Sequence, residues 1–277
     1  MQPIYVIDNH QLHGVNVTQT PSPNHGQNFA SGLPDTIVMH YTAGSSVNSS
    51  VSTMCNPANK VSAHLVIGRK GQVVQLVDFN TIAWHAGRSS WQGRTGLNKY
   101  SIGIELDNAG PLTQNDDGLF LSWFNKAYTG EEVFKGKHRN QSQSGYWHAY
   151  TEAQILVAFD VCRLLCETYG IKTIVGHEEI APGRKSDPGP AFPLDKLRNN
   201  LLESRDQEGS AVDVLSVENT GIVTVPKLNI RSGPGANFKP VAPPLTGGAT
   251  VQVKERYQGW AKVDYVVSGW VSEKYIK

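Results

Sequence analysis

The chain has no long apolar run, few sulfur-bearing residues and almost no net charge. Each shortage narrows what it can be. No stretch approaches the ~18 consecutive apolar residues of a membrane-spanning helix, so no membrane insertion is expected. Lysine and arginine number 25 against 24 aspartates and glutamates, a formal balance of +1. The whole molecule therefore has no field that would gather nucleic acid. The only cysteines are Cys55, Cys162 and Cys166, an odd number in a chain long enough to build its core without disulfide staples. Cys162 and Cys166 stand four apart in a predicted helix and read as buried thiols. The first residues, Met1-Gln2-Pro3-Ile4-Tyr5-Val6-Ile7-Asp8, hold neither a basic n-region nor an apolar h-region, so no secretory signal is expected. What is present is ordinary for a globular protein. Hydrophobic residues make up 39% and charged residues 18% of 277, enough for one medium domain and a small one.

Residues 1–34 are polar and turn-rich and predict an extended arm with one short strand at Ile4–Ile7. From Thr36 the pattern sharpens. The β-branched run Thr36-Ile37-Val38-Met39-His40-Tyr41 ends in Ala43-Gly44, a strand followed by a turn. Ala63 to Ile67 and Val73 to Val77 flank Arg69-Lys70-Gly71 as a hairpin, and further strands are predicted at 101–106 and 173–176. Thr151 with Gln154 fits a capping box. Ile155, Phe159, Cys162, Cys166 and Tyr169 then recur at helical spacing, and Gly170 suits the helix end. Interleaved strands and helices predict an α/β domain over 35–202, a mixed central sheet flanked by helices. Residues 110–147 are polar yet carry seven aromatics between Phe120 and Trp147, too many for a disordered loop. They predict an ordered insertion beside the site. Residues 203–219 read as a charged linker. Short strands and turns over 220–277 predict a small all-β barrel, with eight basic against three acidic residues.

His40 closes one strand, His177 follows another, and Asp187 lies ten positions further on. Strand ends of an α/β sheet converge at one rim, where sites form. Two imidazoles and a carboxylate are a three-ligand set for zinc, with the fourth position left for water. Spacing alone does not separate this reading from strand-end histidines with a structural role, because the chain has nine histidines and no H-E-x-x-H.

Five motifs occur in order: His40-Tyr41-Thr42-Ala43-Gly44; Ser62-Ala63-His64-Leu65; Ala83-Trp84-His85-Ala86-Gly87; Ser101-Ile102-Gly103-Ile104-Glu105-Leu106; and Gly176-His177-Glu178-Glu179, continuing through Arg184-Lys185-Ser186-Asp187-Pro188-Gly189-Pro190. Over 36–201 the chain resembles the type-2 zinc N-acetylmuramoyl-L-alanine amidases, a family of recycling amidases, phage lysins and peptidoglycan recognition proteins. The resemblance implies one Zn2+ per chain held by His40, His177 and Asp187. It implies Glu105 as catalytic acid/base and Lys185 as stabiliser of the oxyanion. It implies substrate contacts from His85, His64 and Trp84. His64 is either a supporting or a core residue, and Trp84 either core or cleft wall. Glu178, beside a ligand where many relatives carry a Ser-Asp pair, is the second candidate for the base.

Leu228-Asn229-Ile230-Arg231-Ser232-Gly233-Pro234-Gly235, Gly259-Trp260-Ala261-Lys262-Val263 and Ser268-Gly269-Trp270-Val271 resemble bacterial SH3-like domains. That likeness implies either a module that holds peptidoglycan or one that only packs. The combined expectation is an enzyme cutting the bond between N-acetylmuramic acid and L-alanine in peptidoglycan or muropeptides. The alternative is a recognition protein that binds without cutting. Without a visible signal, a periplasmic or extracellular site of action is expected, reached by lysis or dedicated secretion. The roles open are lysin, antibacterial effector (with an immunity or secretion partner) or remodelling enzyme, with cytoplasmic recycling set behind them.

Overall fold

The computed structural model describes residues 5–14, 16–202, 220–235, 238–257 and 260–265. The predicted linker at 203–219 lies outside them. The chain forms two compact units, Met1–Ser210 and Ala211–Lys277.

The first unit opens with β1 (Tyr5–Asp8), β2 (Gln11–Gly14), β3 (Val17–Gln19) and β4 (His25–Asn28). It continues through β5 (Thr36–Tyr41), α1 (Val47–Cys55), β6 (Leu65–Ile67), β7 (Val73–Gln75) and β8 (Thr81–Ala83). A short hairpin, β9 (Ser90–Trp91) and β10 (Arg94–Thr95), precedes β11 (Ser101–Leu106). The insertion supplies β12 (Pro111–Gln114), β13 (Phe120–Leu121), β14 (Ala127–Tyr128), β15 (Val133–Lys137) and β16 (Ser144–His148). After it come α2 (Glu152–Tyr169), β17 (Thr173–Gly176), α3 (His177–Ile180) and α4 (Leu194–Leu201).

Six strands make the central sheet in the order β17-β5-β11-β6-β7-β3. Strands β17, β5, β11 and β6 run parallel, and β7 returns antiparallel to β6. Alternate side chains go to opposite faces of a strand. Ile37, Met39, Ile102, Ile104 and Ile174 therefore meet Phe159, Cys162, Leu165 and Cys166 of α2. Burying each large side chain there stabilises the fold by ~1.5–3 kcal/mol. Val38 and Val175 face the other way, against Ala86, Leu97 and Ile180. His40 shares the Val38 face, so the site lies on the side of the sheet away from α2.

Helix α2 begins and ends as its sequence predicts. The Thr151 side chain accepts from the Gln154 amide, Gln154 reciprocates, and Gly170 closes the helix at φ 66°. Gln154 is fully buried and donates to the Asp107 carbonyl at 2.9 Å, which ties the helix start to the end of β11. Cys162 and Cys166 are buried free thiols.

The N-terminal segment differs from the expected arm with a single strand. Strands β1 and β2 form a hairpin that sends Tyr5 and Leu12 into the main core. Strand β3 joins the sheet parallel to β7, and β4 pairs with β8. The insertion is a five-stranded sheet, β14-β13-β12-β16-β15, packed around Ala109, Leu112 and Tyr128 with Phe120, Phe124 and Tyr146. Four of its aromatics, Phe120, Phe124, Tyr128 and Tyr146, belong to this core, while Trp123 and Phe134 are exposed.

In the second unit, β18 (Thr220–Ile222), β19 (Lys227–Leu228), β20 (Leu245–Thr246), β21 (Thr250–Tyr257) and β22 (Trp260–Asp264) enclose Val223, Leu245, Val251 and Val253. The strand expected at 269–276 and the Ser268–Val271 motif lie outside the described residues.

Candidate active site

Register fixes the site. His40 on β5 is level with Glu105 on β11, and Met39 is level with Gly176, which puts His177 one step past the rim. Asp187 returns over the same point, held by a 2.8 Å hydrogen bond from the Glu178 amide to its carbonyl. His40 Nδ1, His177 Nδ1 and Asp187 Oδ2 are each 2.9 Å from the other two. All three residues are buried.

The hydrogen bonds behind these atoms set the tautomers. His177 Nε2 lies 3.1 Å from the Ala86 carbonyl, which can only accept, so the proton sits on Nε2 and Nδ1 presents a lone pair. His85 Nε2 lies 3.2 Å from the Ser101 carbonyl, so His85 Nδ1 accepts from His40 Nε2 at 3.0 Å. His40 Nδ1 is then unprotonated as well. Burial, with His177 beside it, lowers the His40 pKa to about 4, which keeps the ring neutral. Burial pushes Asp187 up, but its contacts with His177 and His40 outweigh that and hold it below the usual carboxylate range. Three electron-pair donors facing one point repel one another unless a cation lies between them. The donor set, its burial and the outer hydrogen bonds fit one zinc ion.

Glu105 is the unusual acid. Burial raises its pKa to about 8, Asp187 adding to the rise and Lys185 opposing it. Its Oε2 is buried without a hydrogen-bond partner. Lys185, Arg184 and Trp84 line the same cleft of about 680 Å³. Trp84 is half-buried and lines this cleft.

Two histidines stand apart. His64 is fully buried, accepts from the Gly103 amide at 3.0 Å and contacts the Thr81 carbonyl at 2.9 Å; it is a core residue. His85 borders the cleft, but both ring nitrogens are engaged, by His40 and Ser101. It braces a ligand and has no free nitrogen for a carbonyl. Gly103 makes this possible, because a Cβ there would fall on the His85 ring.

Glu178 does not face the cleft. Its carboxylate lies 2.5 Å from His138 Nε2 and 2.8 Å from Arg139 Nε, and accepts from the Gly189 amide at 3.2 Å. The second candidate for the base is thus a clamp between the insertion hairpin and the loop carrying Asp187. Sequence reasoning missed Tyr41, whose hydroxyl meets Ser186 Oγ at 2.6 Å, and also Arg184, Ser50 and Trp123. Tyr41 and Arg184 stood inside quoted motifs; Trp123 stood among the insertion aromatics.

A family model described as N-acetylmuramoyl-L-alanine amidase matches residues 30–190, and one described as bacterial SH3 domain matches residues 226–277. The chain belongs to the N-acetylmuramoyl-L-alanine amidase family and carries a C-terminal bacterial SH3-like domain. It is 37% identical over 149 residues to the 1,6-anhydro-N-acetylmuramyl-L-alanine amidase AmpD of Escherichia coli, covering 53% of this chain and 61% of that protein. It is 34% identical over 172 residues to the N-acetylmuramoyl-L-alanine amidase AmiD of the same species, covering 58% and 51%. The matches thus span less than two thirds of these relatives. Among solved structures, a selenomethionine derivative of AmpD aligns with 71% of this chain and 99% of its own at a TM-score of 0.49 and 28% identity. One expectation is corrected. Six of the curated relatives are the 1,6-anhydro-N-acetylmuramyl-L-alanine amidase AmpD, which counts against the periplasmic or extracellular site of action read from the sequence.

Proposed function

We propose that the chain hydrolyses the amide between N-acetylmuramic acid and L-alanine in muropeptides, with one zinc held by His40, His177 and Asp187. The observation that carries this is the convergence of three unprotonated donors beside Glu105, a buried carboxyl with an unpartnered oxygen. Zinc held there supplies Lewis-acid polarisation, worth several kcal/mol on a developing negative charge. Glu105 takes a proton from the attacking water and passes it to the departing alanine nitrogen. Burial raises the Glu105 pKa above the usual carboxylate range and a cation at the donors lowers it again, which brings the group towards the neutral range where one carboxyl can first accept and then return a proton. The Lys185 ammonium faces the charge that grows on the carbonyl oxygen. Trp84 walls the cleft, and the Tyr41–Ser186 hydrogen bond holds the loop that carries Lys185 and Asp187. AmiD of E. coli and AmpDh3 of Pseudomonas aeruginosa have each been solved with an anhydromuramyl peptide.

The test is mass spectrometry of purified protein with N-acetylmuramyl tripeptide. Free tripeptide should appear, vanish with chelator and return with zinc. An intact substrate with zinc fully loaded overturns the reading. The SH3-like module is read as a binder of peptidoglycan fragments, in keeping with its basic balance. Glycan chains should retain the full chain more strongly than 1–219, an advantage that salt weakens because the Debye length shortens to ~8 Å at physiological strength.

A further inference from the structure

Trp123 is the most exposed large apolar side chain among the described residues, 73% open, yet it is not loose. It sits in the turn between β13 and β14, closed by a 2.9 Å bond from the Asn125 amide to the Ser122 carbonyl. Its indole Nε1–H donates to the Ala43 carbonyl at 2.7 Å, just past His40. Its ring meets Phe124 edge to face at 5.5 Å and 90°. A pinned ring with a wet face has little rotamer entropy left to lose, so stacking on it costs little order. The ring lines the cleft that contains the metal donors.

The rest of the cleft lining indicates what stacks there. Helix α1, with the sequence VNSSVSTMC, has no charged residue. It presents Ser49, Ser50 and Thr53 to the cleft, with Ser45 just before it. Ser50 Oγ is buried, only 6% of the residue being exposed, and has no hydrogen-bond partner. The cleft's charged side chains, Glu105, Arg184, Lys185 and Asp187, come from β11 and the metal loop. An acidic stem peptide calls for cations. A neutral ring with C–H groups on one face and hydroxyls on its rim calls for an aromatic plate and a row of hydroxyls.

We propose that Trp123 and the α1 hydroxyl row form a saccharide subsite, which holds a pyranose ring on the glycan side of the scissile amide. This deepens the amidase reading and rests on it for the identity of the substrate. The insertion thereby supplies the sugar plate, and α1 the polar edge.

The test is isothermal calorimetry of the zinc-loaded wild type, Trp123→Ala and Trp123→Phe with two product fragments. These are the disaccharide N-acetylglucosaminyl-N-acetylmuramic acid and the free stem tripeptide. Trp123→Ala should weaken the disaccharide about tenfold and leave the tripeptide unchanged, while Trp123→Phe restores most of the loss. Zinc content and the melting curve of each variant check that the fold is intact. Loss on the tripeptide alone assigns the plate to the peptide and overturns the proposal, as does no loss on either fragment. The outcome is independent of turnover. A wild type that binds disaccharide through Trp123 but cleaves no muropeptide sinks the amidase reading and leaves the subsite standing.

Discussion

The two ends of the cleft are built on opposite principles. At the metal end outer hydrogen bonds hold the histidine rings, which leaves three convergent donor atoms and the Glu105 Oε2 for chemistry. At the α1 end the wall is neutral, Ser49, Ser50 and Thr53 line it, and Trp123 stands in water. The first end gains from electrostatic preorganisation, in which fixed groups meet a charge that appears only during reaction. The second can offer only shape and hydrogen bonds, which act on bound substrate and transition state alike. Substitutions at the metal end should therefore move kcat or metal content, and those at the α1 end should move binding.

The largest effect is expected at the donors. His40→Ala, His177→Ala or Asp187→Ala should each abolish stoichiometric zinc and with it activity. Metal analysis by mass spectrometry checks this, and full zinc in all three variants would defeat the assignment.

Next comes Glu105→Gln, expected to keep zinc and lose about 10²–10⁴-fold in kcat. Its stability should move the other way. The folded carboxyl has a pKa near 8 against an ordinary 4.5, so between those values the folded state holds a proton that the unfolded state has released. In chelated protein the stability contribution of Glu105 is present below pH 4.5 and is lost as pH rises towards 8. Glu105→Gln removes that loss, so chelated variant and wild type should melt alike at pH 5 and the variant higher at pH 8. A gap that stays constant from pH 5 to pH 8 would show that Glu105 ionises as freely in the folded chain as in the unfolded one.

A smaller effect is expected one layer out. Glu178 ties His138 and Arg139 of the insertion to the loop between His177 and Asp187. Groups that orient metal ligands are usually worth about 10–100-fold in metal affinity. Glu178→Gln should weaken zinc by that much in competition with a chelator of known affinity. An unchanged zinc constant would mean the loop holds its shape unaided.

The contrast between the two ends also explains what could be read from the sequence. Strands β5, β11 and β17 were legible because each is a β-branched or apolar run between turns, and α2 because its capping box and glycine stop are local signals. Helix α1 was missed because serine and threonine are weak helix formers, although Val47, Val51 and Met54 keep a helical spacing. The place of β3 was not legible, since its partner β7 lies more than fifty residues away and three-residue strands carry little pattern. The metal donors stand 137 residues apart in His40 and His177, so composition could only nominate them and the family motifs had to choose. Glu178 misled for a geometric reason. It adjoins a ligand in sequence, but successive side chains on a helical turn point ~100° apart, and α3 turns it towards the insertion.

The smallest expected effect separates two serines of the same wall. Ser62 is buried and fully used: its Oγ donates to the Asn24 carbonyl at 2.5 Å and accepts from the Trp84 amide at 2.9 Å. Ser62→Ala strands both partners in a dry place, so it should cost ~1–3 kcal/mol, read as a fall in the melting temperature. Ser50 is buried too, yet its Oγ has no partner. Ser50→Ala removes a desolvated hydroxyl that returns nothing to the fold, and stability should change by less than ~0.5 kcal/mol or rise slightly. Its cost should appear only with ligand, as a disaccharide affinity lowered severalfold, in line with ~1 kcal/mol for one hydrogen bond. A Ser50→Ala protein as unstable as Ser62→Ala would mean that Ser50 belongs to the fold. The hydroxyl row would then be a structural edge, and the distinction between a reactive end and a binding end would rest on Trp123 alone.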